Sequence, residues 1–69
     1  MKGRGAPYLA TEQNLIKARI VEGEARILDQ RREIALMAID GVDTASAVNL
    51  LSAMETSQAL RLRRLANLA

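Results

Sequence analysis

The chain has 69 residues, a formal net charge of +2, and neither cysteine nor histidine. It is long enough for one small domain, and its composition excludes disulfides, thiolate or imidazole metal sites and imidazole catalysis. Its one aromatic residue is Tyr8, so a core must consist of aliphatic side chains. Small domains without such cross-links are commonly stabilised by association, and we therefore expect an oligomer.

The first segment, residues 1–6, is predicted to be a flexible basic tail, because its glycines disfavour helix and its basic side chains are easily solvated. Pro7 suits the first turn of a helix, where its missing N–H is not needed. Thr11 is the alternative start, because its hydroxyl can cap the turn that follows. We expect a helical hairpin over residues 7–69, with its first helix at about 8–40.

A seven-residue repeat of alternating three- and four-residue spacings follows, which is typical of a coiled-coil-like seam. The seam positions are Ile16, Ile20, Gly23, Ile27, Gln30, Ile34 and Met37. A second row, Val21, Leu28 and Ala35, is predicted to lie beside the seam and to widen the apolar stripe. That width favours a bundle in which the helix contacts more than one neighbour.

The sequence Asp40-Gly41-Val42-Asp43 predicts a tight turn. Gly41 can take the left-handed conformation that ends a helix, with Val42 folding back onto Met37. Asp43 is predicted to cap the next helix by accepting a hydrogen bond from the N–H of Ala45 or Ser46. So short a connection requires two antiparallel neighbouring helices.

The second helix is predicted at about residues 44–67. Its core row is Leu51, Met54, Gln58, Leu62 and Leu65, beginning from Ala47. The predicted fold is an all-α, antiparallel two-helix hairpin whose apolar stripes are wider than one contact can cover. We expect a homodimer that forms an antiparallel four-helix bundle, with a partner protein that supplies the missing helices as the alternative.

Three seam residues have two interpretations each. Gly23 permits a close approach or bend between helices, or provides a notch for a partner or ligand. Gln30 and Gln58 hydrogen-bond across the core and fix its register, or line a small-molecule site. The structural interpretation is favoured for all three.

Charged residues suggest two further hypotheses. Four carboxylates could form a bundle metal site, but they alternate with arginines off the apolar stripe and are better explained as a solvated face; they are Glu22, Glu24, Asp29 and Glu33. The basic end could contact nucleic-acid phosphates or an acidic protein surface, or its arginines could simply complement the helix dipole. Its residues are Lys2, Arg4, Arg61, Arg63 and Arg64.

No catalytic apparatus is recognisable, because the serines lack a base partner and no glycine-rich phosphate loop is present. We expect no cofactor, no metal and no enzymatic activity. The longest apolar run, residues 34–39, is far shorter than the roughly 20 residues that span a bilayer, and no secretory signal is recognisable. The expected location is the cytoplasm.

The chain also resembles a group of small alphaproteobacterial helical-hairpin proteins of no established activity. The resemblance covers residues 15–64 and rests on Gly23-Glu24, Ile27, Gln30 and Ile34, on the turn Asp40-Gly41-Val42-Asp43-Thr44, on Leu50-Leu51, and on Gln58-Ala59-Leu60. Where those relatives often carry histidines, this chain has residues 61–64, RLRR. The resemblance implies a bacterial helical hairpin. The expected function is a non-enzymatic, homo-oligomeric protein-interaction or regulatory module, with nucleic-acid association as the alternative.

Overall fold

The computed structural model describes the backbone of residues 5–68 and the side chains of residues 11–68. Over these residues the chain forms two α-helices, α1 (Gly5–Ile39) and α2 (Ala45–Leu68), and no strand. The helices pack against each other in antiparallel orientation, which gives a rod with extents of 61 × 15 × 12 Å. The predicted all-α hairpin is confirmed.

Helix α1 begins earlier than the sequence predicts. Its first residue is Gly5, so Pro7 lies in the first turn and residues 5 and 6 of the predicted tail are helical. An N–H in the first turn has no carbonyl partner within the helix, which is why proline is tolerated there. The rest of the predicted tail lies outside the described residues.

The turn has the predicted geometry. Gly41 has a φ of 75°, the N–H of Gly41 donates to the carbonyl of Ala38 at 3.2 Å, and the N–H of Val42 donates to that of Met37 at 2.9 Å. These two bonds define a Schellman motif, which satisfies carbonyls that the end of the helix leaves without partners. The Asp43 carboxylate accepts a hydrogen bond from the N–H of Ala45 at 2.9 Å, so the predicted N-cap is confirmed.

Substituting Gly41 with alanine is expected to lower the free energy of unfolding by about 1 kcal/mol, because an L-residue is strained at positive φ. A Cβ at this position would meet nothing within 4 Å, so the cost is purely conformational. Chemical denaturation measures it. Gly41→Asn is the control, since asparagine tolerates this conformation and should lose less stability. Equal losses in the two variants would contradict a conformational cause.

The contact between the helices follows the predicted seam of α1. From residue 14 to residue 40, only the seven seam positions are buried or half-buried, and every other position is exposed. The row Val21, Leu28 and Ala35 does not widen this contact, because all three side chains are exposed, Val21 to 65% and Leu28 to 52%. Each follows a seam residue directly, which turns it about 100° around the helix and away from α2.

Candidate interaction site

One of the most deeply buried side chains of the seam is polar. Gln58 on α2 is only 7% exposed, comparable to Ile16 and Ile20 at 8% and 7%. Its Nε2 donates to the backbone carbonyl of Ile20 at 2.7 Å, and its Oε1 accepts from Nη1 of Arg61 at 3.3 Å. The buried amide is therefore satisfied at both ends, as a buried polar group must be to avoid a large desolvation cost.

Gly23 provides the space for this amide. A Cβ built on Gly23 would overlap Oε1 of Gln58, and it would lie 3.0 Å from Cδ of Gln58 and 3.2 Å from Nη1 of Arg61. The interior glycine thus has a packing reason, in line with the interpretation that the sequence favoured. We call Gly23 and Gln58 the central lock.

Two further glutamines cross the seam from the other direction. Nε2 of Gln30 donates to the carbonyl of Ala47 at 2.9 Å, and Nε2 of Gln13 donates to the carbonyl of Leu68 at 3.3 Å. Gln30 and Gln58 do not bond to each other, and each reaches a backbone carbonyl of the opposite helix. These bonds fall near both ends and the middle of the hairpin, so a shift in helix register would break all three.

The residues of α2 that are not exposed form its side of the seam, and half-buried Thr44 precedes them just before the helix. They are Ala47, Leu51, Met54, Gln58, Arg61, Leu65 and Leu68. The predicted members Leu51, Met54 and Leu65 therefore lie in the hairpin contact. Leu62 does not, because it is 50% exposed, and Arg61 occupies the seam position instead. Arg61 packs its aliphatic stem there and turns its guanidinium to Gln58.

Two interhelical ion pairs distinguish the two sides of the hairpin. On one side Nη2 of Arg31 lies 2.9 Å from a carboxylate oxygen of Glu55, and on the other Nη2 of Arg64 lies 2.9 Å from one of Glu12. Both pairs are substantially exposed, and such pairs contribute at most about 1 kcal/mol each. The two pairs show which residues lie on each side of the contact between the helices.

The side marked by Arg64 and Glu12 carries a groove of about 600 Å³. Apolar residues from both helices form part of its lining, together with four charged side chains. The lining includes Leu15, Ala18, Arg19, Glu22, Arg26, Leu50 and Arg61, so Ala18 borders both this groove and the outer face of α1. This side of the hairpin is therefore rich in charge.

The face of α1 that points away from α2 is apolar. The residues Ala18, Val21, Ala25, Leu28, Ala35 and Ile39 are all exposed, and together we call them the outer stripe. They repeat with the same alternating spacing as the seam, and Arg32 is the one charged residue in the series. The rows of charged residues at positions 17, 24 and 31 separate the outer stripe from the seam.

The acidic residues considered for a metal site are exposed. Asp29 lies 3.7 Å from Nη1 of Arg32, a contact between neighbours on the same helix, and Glu22, Glu24 and Glu33 occupy the surface of α1. Within the described residues no three acidic side chains come together in a way that could hold a metal ion.

The predicted basic patch is divided. Arg61 is bonded to Gln58, Arg64 is paired with Glu12, and Arg63 is exposed on the outer face of α2. Lys2 and Arg4 lie outside the described residues. Two of the three arginines on α2 therefore already have partners within the hairpin.

Among the described helices, none combines the length and apolar character needed to cross a bilayer. Comparison with known proteins adds no relative: no family model, no curated protein and no solved structure matches the chain.

Proposed function

We propose that this chain is a non-enzymatic, homo-oligomeric interaction module in which two hairpins associate into a four-helix assembly. One observation carries the proposal. Within residues 11–68 only two large apolar side chains, Ile16 and Ile20, are buried, whereas ten others are 45–80% exposed. Three of the ten, Val21, Leu28 and Ile39, lie along one face of α1, and a soluble monomer rarely leaves a large apolar patch of this kind in water.

The surface area supports the same proposal. The chain has 5400 Å² of accessible surface, whereas a compact monomer of 7.5 kDa is expected to have about 4,200 Å². Covering the excess on both partners would bury roughly 2,400 Å² in total, which is within the range of obligate homodimers. At about 25 cal/mol per Å² of apolar surface, this burial is large compared with the marginal stability of a domain of this size.

The proposed role is that of a scaffold or regulatory partner, because the helix faces offer apolar surface bordered by charge and no recognisable reactive centre. We do not extend the proposal to nucleic acid. Arg61 and Arg64 hold partners within the hairpin, and phosphate binding would have to displace them.

Thermal unfolding tests the proposal. If folding is coupled to dimerisation, a hundredfold dilution removes about 2.7 kcal/mol of stabilisation and lowers the midpoint by about 10 °C. The measurement is far-UV circular dichroism from low to high micromolar concentrations. A midpoint that does not change with concentration, in a fully helical and cooperatively melting protein, would contradict self-association and leave a heterologous partner as the reason for the exposed surface.

A further inference from the structure

We infer that the outer stripe of α1 is the self-association surface, and that a second copy of the chain occupies it with the two α1 helices antiparallel. The inference rests on the proposed function and names the face that it uses. Every residue of the outer stripe faces solvent, so the stripe is free to contact a second chain.

The spacing is the first argument. The series 14, 18, 21, 25, 28, 32, 35 and 39 alternates by four and three residues without interruption, which is the pattern of a helix seam. Helix α1 thus has two seams, and α2 covers only one of them. Alanine alternates with larger residues through much of the outer stripe, and small side chains allow two helices to approach closely.

Among the side chains that the structure describes, no other exposed apolar surface is equally continuous and uncharged. The large exposed residues of α2 are split around the helix: Leu50 borders the charged groove, whereas Leu62 lies two residues beyond Leu60 and therefore about 200° around the helix from it. The outer stripe belongs to the series of positions from 14 to 39, in which Arg32 is the one charged residue. Burying the outer stripe therefore removes fewer charged groups from water than burying another exposed face of the described helices would.

Four of the charged residues in and beside the outer stripe can pair favourably in the antiparallel orientation. Glu22 and Glu24 lie toward its N-terminal half, and Arg31 and Arg32 lie toward its C-terminal half. A two-fold axis near residue 27 places Glu22 opposite Arg32 of the second copy and Glu24 opposite its Arg31, and each contact occurs twice. In a parallel pair in register, each of these four residues would instead lie level with the identical residue of the second copy.

A matched pair of substitutions tests the face. Leu28→Asp is expected to weaken dimerisation at least 100-fold in Kd, because two copies of the leucine leave the interface and two charges enter it. Leu60→Asp is the control, since Leu60 is 58% exposed, against 52% for Leu28, and lies on α2. It should change the Kd less than threefold. Sedimentation equilibrium measures both.

A charge exchange tests the orientation and does not depend on the folding of one variant. Glu22→Arg and Arg32→Glu should each weaken the dimer roughly tenfold at low salt, because two contacts per dimer become repulsive. The double variant should return to near the Kd of the original chain. An unfolded variant could not produce this recovery.

The outcomes separate this inference from the proposed function. A monomeric original chain would overturn both. A dimeric chain whose Kd is insensitive to Leu28→Asp, or equally sensitive to Leu60→Asp, would overturn only the assignment of the face. A double charge variant no tighter than the singles would overturn the antiparallel arrangement.

Discussion

Replacing Gly23 with alanine is expected to destabilise the hairpin by about 2 kcal/mol, although alanine is favoured over glycine in a helix by about 1 kcal/mol. The new Cβ would occupy the place of Oε1 of Gln58. The amide must then move, and its hydrogen bonds to Ile20 and Arg61 weaken or break inside a buried contact. An unsatisfied buried polar group costs about 1–3 kcal/mol by itself.

A double-mutant cycle makes this prediction specific. In the Gln58→Ala background the clash is absent, so Gly23→Ala should stabilise the hairpin by about 1 kcal/mol through helix propensity and a filled gap. Gly23→Ala is therefore expected to lower the free energy of unfolding of the original chain and to raise that of the Gln58→Ala variant. Guanidinium denaturation at fixed protein concentration gives the four free energies of unfolding. Asn49→Ala, at an exposed position of α2, reports the effect of propensity alone. A Gly23→Ala variant that stabilises the original chain as Asn49→Ala does would contradict the central lock.

Removing the side chain of Ile20 is expected to have an even larger effect. Ile20→Ala should cost about 2–5 kcal/mol, because it leaves a cavity in a core that has two buried aliphatic residues within residues 11–68, and because Gln58 packs directly against this part of α1. A loss of this size approaches the whole stability of a small domain. We therefore expect loss of much of the helical circular dichroism signal at room temperature.

Leu60→Ala is the matched control for Ile20→Ala. It removes a similar volume from a side chain that is 58% exposed, so it should cost less than about 1 kcal/mol. If the two variants melted alike, the seam would not be the stabilising contact of the hairpin.

The turn and the seam of α1 were predictable because their causes are local. The glycine, the capping aspartate and the alternating spacing act within a few residues, and the structure confirms the turn and places each predicted seam position of α1 against α2. The start of α1 was not predictable in the same way, since the glycines that suggested a tail are also compatible with a first helical turn.

The differences between the predicted apolar rows and the observed contact also have physical causes. The sequence predicts Leu62 in the core row because it is apolar. Counting three residues from Gln58 leads instead to Arg61, whose aliphatic stem can pack there while its guanidinium donates to the amide oxygen of Gln58. The row of Val21, Leu28 and Ala35 lies outside the contact with α2, and the charged positions 17, 24 and 31 stand between it and the seam. Its contact with a further neighbour stays a prediction. Counting 100° per residue turns this row to the side of α1 that faces away from α2.

The relation between Gly23 and Gln58 could not be predicted from the sequence, because no local signal joins residues 35 positions apart. It depends on the register of α2 against α1, which the turn and the interhelical hydrogen bonds set together. The same limit applies to the choice of self-association surface, since exposure of the outer stripe becomes evident only after the seam is assigned.

Sedimentation equilibrium of the unmodified chain, at micromolar concentration and physiological salt, tests self-association most directly. We expect a mass of twice 7.5 kDa, falling toward the mass of one chain on dilution. A single species of 7.5 kDa that is fully helical and melts cooperatively over the same concentrations would contradict the proposal that two hairpins cover each other's exposed apolar surface.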